Sequence, residues 1–376
     1  MRKNARSTTA ASPATTRSLT HDAVTNVTLV VLCQVFQALT FGGIALFLPL
    51  IRDDLQMSFA QAGMLSAAVT LSYGLGQIPA GYLSDRFGAK RLFLIGLLGW
   101  SILSLSLGLI QSFWLAVINQ LVAGAFRALL FAPGLALLAS WFPPQRRATA
   151  MSLYMVGGFS GTILLSLAGP LLAKHLGWRI TFILFAALGL AAALLYGALA
   201  KDKPRTGAGP HVGIREALHL FKRRILWVCS ALQFIRYSVV IAFNFWLPSL
   251  LVADRGLSLQ AAGFVIAMSA AFTAFANALG GYVSDRLRNP PLVTGGSLAV
   301  LACASALLVL VDSIPALLLV VAVGSAFLQF YFGPLFFVPV EVLGQRTAGI
   351  ATGFTNLFAN VGGLLTAYAL GAVKDT

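Results

Sequence analysis

Arg127 and Arg236 each stand deep inside a long apolar run, about 14 residues into Phe113–Trp141 and about 11 into Ile225–Val252. A guanidinium is planar, permanently charged and shaped to receive a carboxylate or phosphate on two donors at once, so the chemistry it offers in such a place is anion binding. The bland alternative is a packing arginine bonded to backbone carbonyls. The acids speak to the choice. None of the 11 Asp and Glu falls in the middle of an apolar run, Glu341 coming nearest at the end of one. Two central cations without internal anions leave a net positive interior, which favours an organic anion over a cationic drug or a neutral sugar.

Polar side chains recur at helical spacing around these arginines. Gln34 and Gln37 share a face of the first run, Gln233, Arg236, Tyr237 and Asn244 share one of the seventh, and Asn356 and Asn360 share one of the last; Asn119 and Gln120 precede Arg127 by two turns. Each one alone is open to use as an interhelical hydrogen bond. Together, Gln34, Gln37, Asn119, Arg127, Arg236, Tyr237, Asn244, Asn356 and Asn360 form the candidate substrate-binding set. Enzyme chemistry has no such set, because His21, His175, His211 and His219 lie outside the apolar runs and do not converge. Cys33, Cys229 and Cys303 sit within apolar runs without metal or disulfide spacing, so neither cofactor nor metal is expected.

The elements that carry these residues are helices in a bilayer. Hydrophobic residues make up 58% of the chain and charged residues 10%, too apolar for a soluble domain. Runs of roughly 20 apolar residues, each enough to cross about 30 Å of hydrocarbon, follow one another to the end. They do not alternate as barrel strands would, so the fold class is an all-α membrane protein. The runs are Val27–Ile51, Ala60–Leu83, Leu92–Ile110, Phe113–Trp141, Ala148–Ala173 and Ile180–Leu199, then Ile225–Val252, Leu259–Val283, Leu292–Val311, Ile314–Val340 and Ala348–Val373. An arginine in the centre of such a helix costs roughly 2.5–3.5 kcal/mol to insert, so both should face the protein interior.

The formal charge of +15 would suit a nucleic-acid partner, but its distribution points elsewhere. Most Lys and Arg fall in the N-terminal tail and in every second connection, namely Asp85–Arg91, Gln145–Arg147, Lys201–Arg224, Asp285–Arg288 and Gly344–Arg346. Cytoplasmic loops retain Lys and Arg, so these segments and the N-terminus are expected in the cytoplasm, and the charge reports topology in an inner membrane.

An internal repeat organises the runs. Gly81-Tyr82-Leu83-Ser84-Asp85-Arg86 recurs 200 residues later as Gly281-Tyr282-Val283-Ser284-Asp285-Arg286, and Gln145-Arg146 recurs at the same offset as Gln345-Arg346. Six helices return a chain to the side on which it started, so the halves are expected as parallel repeats. The expected divisions are a cytoplasmic tail at 1–24, a six-helix bundle at 25–200, a cytoplasmic linker at 201–224 and a second bundle at 225–376 with five helices. By the offset a twelfth helix would fall beyond Thr376, so eleven are expected in the chain, with the twelfth missing.

Gly81-Tyr82-Leu83-Ser84-Asp85-Arg86-Phe87-Gly88-Ala89-Lys90-Arg91 resembles the loop between helices 2 and 3 of the major facilitator superfamily, and the resemblance covers nearly the whole chain. Asp54-Leu55 with Ser58 and Gln61, Gly177-Trp178-Arg179, Asn244-Phe245-Trp246-Leu247-Pro248, and Gly353, Asn356, Asn360, Gly362 and Gly363 resemble the family's organic-anion branches, the anion–cation symporters and organophosphate antiporters. The resemblance implies a major facilitator fold whose cavity is lined by helices 1, 4, 7 and 11. It also implies a gate in which Asp85 meets the start of helix 11 near Arg346, and by the repeat Asp285 meets helix 5 beside Arg146 and Arg147; Arg86, Arg91 and Arg286 complete the gating set.

Two departures narrow the implication. Gly157, Gly158 and Gly161 lack the following proline of proton-coupled drug exporters, and Phe131 stands where a glycine is expected after Arg127. The expected function is secondary active transport of a small organic anion, carboxylate or phosphate ester, by alternating access. Its partners are a coupling proton, cation or counter-anion and the lipid bilayer, with no nucleic acid, and the chain works as a monomer. A proton-coupled drug or metabolite exporter and a non-transporting carrier-like sensor are the alternatives.

Overall fold

A computed structural model describes residues 13–201, 219–249, 251, 256, 259–311, 313–344 and 347–375. The helices are α1 (Pro13–Asp54), α2 (Phe59–Phe87), α3 (Ala89–Leu107), α4 (Phe113–Trp141), α5 (Arg147–Leu199), α6 (Arg224–Ser249), α7 (Leu259–Leu287), α8 (Pro290–Leu310), α9 (Ile314–Phe330), α10 (Phe332–Leu343) and α11 (Ala348–Asp375). A 3-10 turn, Pro144–Arg146, precedes α5. No strand occurs among the described residues. Within them, 7 helical stretches are long and apolar enough to cross a membrane: His21–Asp54, Ala89–Leu107, Phe113–Trp141, Arg147–Leu199, Arg224–Phe243, Pro290–Leu308 and Ile314–Leu343.

Local chemistry sets the boundaries. Ser58 accepts from the Gln61 amide while the Gln61 side chain accepts from the Ser58 amide, a reciprocal cap that starts α2. Asn289 caps α8, and Pro290 fills a first-turn position where no amide is needed. The runs read as separate helices at 148–173 and 180–199 are two helical limbs, here numbered together as α5 and divided at Gly177, whose φ of 76° and ψ of 161° are non-helical and suit glycine. In the opposite sense, the single run 314–340 divides at Tyr331 into α9 and α10. Pro334 has no N–H for the Phe330 carbonyl one turn earlier, and that carbonyl instead lies against Gly280 of α7.

The first helix also begins earlier than its apolar run. α1 extends back to Pro13, through residues read from sequence as a tail, with Asp22 held in an ion pair to Lys201 at 2.8 Å and the Asn26 side chain accepting from the Lys201 amide at 3.0 Å. Most of the linker read at 201–224 falls at 202–218, outside the described residues.

Two bundles result. In one, α1 packs on α5 and α4 on both α2 and α3; in the other, α6 packs on α11 and α9 on both α7 and α8. The repeat is visible in the helices themselves, since α7 starts and stops 200 residues after α2. Between the bundles run α2 against α11 and α5 against both α7 and α10. Phe332, Phe336 and Phe337 of α10 join the core built around Phe93, Trp100 and Phe182 of the first half. The seams α2–α11 and α5–α7 carry the polar groups described next.

Candidate functional site

Arg236, one-third to one-half of the way along α6, is 4% exposed. Its Nε donates to Gln233 Oε1 at 2.7 Å and its Nη1 to Gln329 Oε1 of α9 at 2.9 Å, while the guanidinium lies 5.2 Å from the Phe332 ring centroid and 5.7 Å from that of Tyr237. Its partners are thus neutral amide oxygens and ring faces. They orient the fork without cancelling its charge, and burial makes an uncancelled charge costly.

Arg127 belongs to the other bundle and is held differently. Its guanidinium lies over the Phe41 ring of α1 at 3.5 Å and the Tyr73 ring of α2 at 4.1 Å, two contacts that support a cation through the ring quadrupoles. The Nε is buried and has no hydrogen-bond partner. That donor is thus left uncommitted beside two aromatic rings. The Phe332 ring beside Arg236 makes an edge contact at 6.5 Å with Phe131, one turn of α4 after Arg127, so both guanidiniums lie near the aromatic contact between the bundles.

The Tyr73 ring links this region to the opposite bundle. Asn356 of α11 donates through Nδ2 to Tyr73 Oη at 3.2 Å and to Gln77 Oε1 at 2.9 Å, and Asn360 donates back to the Asn356 carbonyl at 2.7 Å. Further along the same face of α2, Gly81 and Gly349 pack backbone to backbone, where a Cβ on either would meet the other's carbonyl. One turn on, Asp85 is 6% exposed and accepts from the amides of Gly349 and Ile350, both at 2.9 Å. A carboxylate there meets the free amides and positive dipole end of α11. Residues 73, 77, 81 and 85, spaced by four, therefore form one stripe from Arg127's ring partner to the helix end.

The second copy of the motif makes the matching contact on α5. Asp285 accepts from the Ala148 amide at 3.2 Å, from the Thr149 amide at 2.9 Å and from the Thr149 hydroxyl at 2.6 Å. It is half-buried beyond the apolar run, and burial pushes its carboxyl above the usual range against the pull of those bonds and of Arg146. Arg86 and Arg286 occupy equivalent places, donating to Tyr82 Oη at 3.4 Å and Tyr282 Oη at 3.1 Å. Arg91 is exposed in the first turn of α3, and Arg147 starts α5. Arg346, named in the gating set, and the Asn244 side chain lie outside what is described.

The remaining candidates go to other neighbours. Asn119 donates to the Leu103 carbonyl at 3.1 Å and Ser106 Oγ at 2.8 Å, and accepts from Gln120 at 2.9 Å, so its side chain is engaged with α3 rather than with Arg127. Gln37 is buried on α1, and Gln34 lies against Gly157 and Gly158 of α5. A cavity of about 460 Å³ opens at the motif end instead, lined by His219, Leu220, Arg223, Arg224, Ile225, Val342, Leu343 and Thr347.

Sequence reading passed over Tyr73, Gln77 and Gln329. Their signals were present: Gln77 is two turns before Asp85 on the same face, and Gln329 is a lone amide in an apolar run. Phe41 carried no signal, since a phenylalanine in such a run is ordinary. Phe131, the residue that departs from the expected glycine, fills the interbundle space with edge contacts to Tyr154 at 6.1 Å and to Phe332 and Phe336 of α10 at 6.5 and 5.4 Å.

A further group holds the far end of the first bundle. Asp54 Oδ2 accepts from Trp178 Nε1 at 2.9 Å and Arg179 Nε at 2.7 Å, while Arg179 Nη1 donates to the Gly108 and Ile110 carbonyls at 3.0 and 2.7 Å. Arg179 thus ties the ends of α1 and α3 to the second limb of α5, just after the Gly177 bend.

Comparison with known proteins places this geometry. Residues 30–367 match the family described as Major Facilitator Superfamily. The hexuronate transporter of Bacillus subtilis (strain 168) is 25% identical over 92% of this chain and 86% of its own length. The probable galactarate/D-glucarate transporter GudP of Escherichia coli (strain K12) is 25% identical, and the probable sulfoacetate transporter SauU of Cupriavidus necator 26%, each over 86% of this chain and 80% of its own length. Among solved structures, the transporter FucP in its outward conformation aligns with a TM-score of 0.76 over 94% of this chain and 93% of its own, at 17% identity, which speaks to the fold. With the matched family model spanning both bundles, the chain belongs to the Major Facilitator Superfamily and is a multi-pass membrane transporter, not an enzyme.

Proposed function

We propose that the chain is a secondary active transporter that carries a small organic anion, a carboxylate or phosphate ester, across the inner membrane by alternating access. The observation that carries the reading is Arg236, a buried guanidinium whose hydrogen bonds go to neutral amides. Arg127, with its unpartnered Nε, supplies a second cation from the other bundle. Three relatives named above are described as carriers of hexuronate, of galactarate or glucarate, and of sulfoacetate, all anions.

Tyr237, Asn356 and Asn360 complete the binding region, with Gln34, Gln37 and Asn244 as further contacts and Asn119 in a supporting place through α3. The N-terminus and the two loop motifs face the cytoplasm, as the Lys and Arg distribution requires. The chain crosses the membrane eleven times, with the α5 limbs as two crossings and α9–α10 as one. Asp85 and Asp285, with Arg86, Arg91, Arg146, Arg147, Arg286 and Arg346 around them, close the cytoplasmic side and release as the bundles rock. Coupling comes from a proton on the substrate, a cotransported cation or a counter-anion.

Flux in proteoliposomes tests this. Purified wild-type chain should take up a radiolabelled sugar acid and be inhibited by other organic anions. Arg236→Gln should lose most uptake while keeping its thermal stability, and Arg236→Lys should keep part, because it retains the charge without the fork. A stably folded Arg236→Gln with wild-type uptake, or a ligand profile made up of cations, overturns the reading.

A further inference from the structure

We infer that the cavity at the motif end of the second bundle is a binding site for an anionic phosphate group, which the membrane supplies as the headgroup of an acidic phospholipid. The site is separate from Arg127 and Arg236 and does not depend on what the chain transports.

A tight turn builds the cavity. The Lys222 amide donates to the His219 carbonyl at 3.2 Å and the Arg223 amide to the Leu220 carbonyl at 2.9 Å, after which α6 starts with Arg224. Trp227 pins this turn, its Nε1 donating to the Phe221 carbonyl at 2.7 Å. Phe221 and Trp227 both meet Phe354 of α11 edge-on, at 4.9 and 5.3 Å, so the turn is held against that helix. Val342 and Leu343 at the end of α10 and Thr347 before α11 complete the wall. The Thr347 hydroxyl is spent on the Leu343 and Gly344 carbonyls, so it shapes the wall and leaves the donors to other groups.

Charge selects the ligand. Arg223 and Arg224 line a space of about 460 Å³, within the range of small-ligand pockets, and His219 adds an imidazole. No carboxylate is among the lining residues, and neither arginine is in an ion pair among the described residues. Glu341, the acid that directly precedes Val342, interacts electrostatically with Arg147 of α5. Two adjacent guanidiniums, beside first-turn amides of α6 that lack helical partners, suit a phosphate with its several acceptor oxygens. The starts of α5 and α11 differ, because Asp285 and Asp85 already take their amides.

Place selects its source. The apolar run of α6 begins directly after Arg224, and Trp227, 47% exposed, stands where an aromatic ring marks the boundary between hydrocarbon and water. Val228 and Ile235 follow Arg224 on one face of α6, both exposed. A lipid along that face lays its acyl chains on the helix and brings its phosphate level with the arginines. Leu220, Ile225, Val342 and Leu343 then give the cavity apolar walls that a free phosphate would leave unused.

Native mass spectrometry of the purified chain, titrated with phosphatidylglycerol or phosphatidylcholine of the same acyl chains, tests this. The choline group cancels the phosphate charge. Wild type should retain phosphatidylglycerol at least about tenfold better, the scale of two arginines at an anionic surface. Arg223→Gln with Arg224→Gln should abolish the preference, and Arg223→Lys with Arg224→Lys should keep much of it. Val342→Trp, at an exposed position, leaves both arginines and fills the cavity, so it should abolish a seated lipid but not one loosely attracted by charge. The lysine pair and Val342→Trp carry the test if the glutamine pair does not fold. Inorganic phosphate is added to the Arg236→Gln chain, so that the central site does not answer. Saturable thermal stabilisation there, lost with the glutamine pair and without any lipid preference, keeps the phosphate site and moves its source to solution. Equal retention of the two lipids with no effect of phosphate overturns the inference, as does a preference that survives both the glutamine pair and Val342→Trp.

Discussion

Asn356 Nδ2 donates to Tyr73 Oη at 3.2 Å, joining α11 to α2 across 283 positions of sequence, and the same Tyr73 ring lies 4.1 Å beneath the Arg127 guanidinium. One side chain therefore touches both the candidate anion site and the seam between the bundles. Tyr73→Phe keeps the ring under Arg127 but removes the acceptor. It should cost about 1 kcal/mol at the seam and favour opening of the motif end, with anion affinity retained. A cysteine placed at Lys90 in a chain with Cys33, Cys229 and Cys303 replaced should label faster in the Tyr73→Phe background. Equal labelling rates would show that the hydrogen bond does not hold the seam.

Asp85 receives two backbone amides at the start of α11, and an amide side chain cannot replace a carboxylate at both. Asp85→Asn should weaken the closed form by about 1–3 kcal/mol, raise labelling at the motif end and slow exchange. The rank order of bound anions should not change, because Asp85 lies at the helix end, three turns of α2 from Tyr73. An altered rank order with unchanged labelling contradicts this.

Gly81 and Gly349 touch through their backbones, with no room for a Cβ on either. Gly81→Ala should wedge α2 from α11 and mimic Asp85→Asn in labelling, although it removes no hydrogen bond. The double variant should add little to Asp85→Asn, since both act on one contact. Additive effects on labelling would place the two residues in separate devices.

Arg179 serves the other end of the first bundle through carbonyls of Gly108 and Ile110 and the Asp54 carboxylate. Arg179→Gln leaves those carbonyls without their donor and should lower thermal stability by about 1–3 kcal/mol. Anion rank order and motif-end labelling should stay as in wild type. Loss of anion binding at unchanged thermal stability would make Arg179 a ligand contact instead.

The sequence by itself determined the membrane class, the family and the places of the charges. These properties answer to solvent: hydrocarbon admits only long apolar helices, expels charge to the loops and makes Arg127 and Arg236 conspicuous against that background. The 200-residue repeat placed Asp85 and Asp285 in matching positions for the same reason, as polar groups at helix ends. Tertiary structure alone decided which polar residues meet. That Tyr73 and Gln77 answer Asn356, that Gln329 answers Arg236 and that Asn119 turns to α3 depends on how each helix is rotated and crossed against its neighbours. The division of 314–340 at Tyr331 likewise needed both a local cause, Pro334, and a distant one, Gly280 against the Phe330 carbonyl. Helical periodicity sorts residues onto faces; the packing of small residues such as Gly81 on Gly349 selects which faces touch.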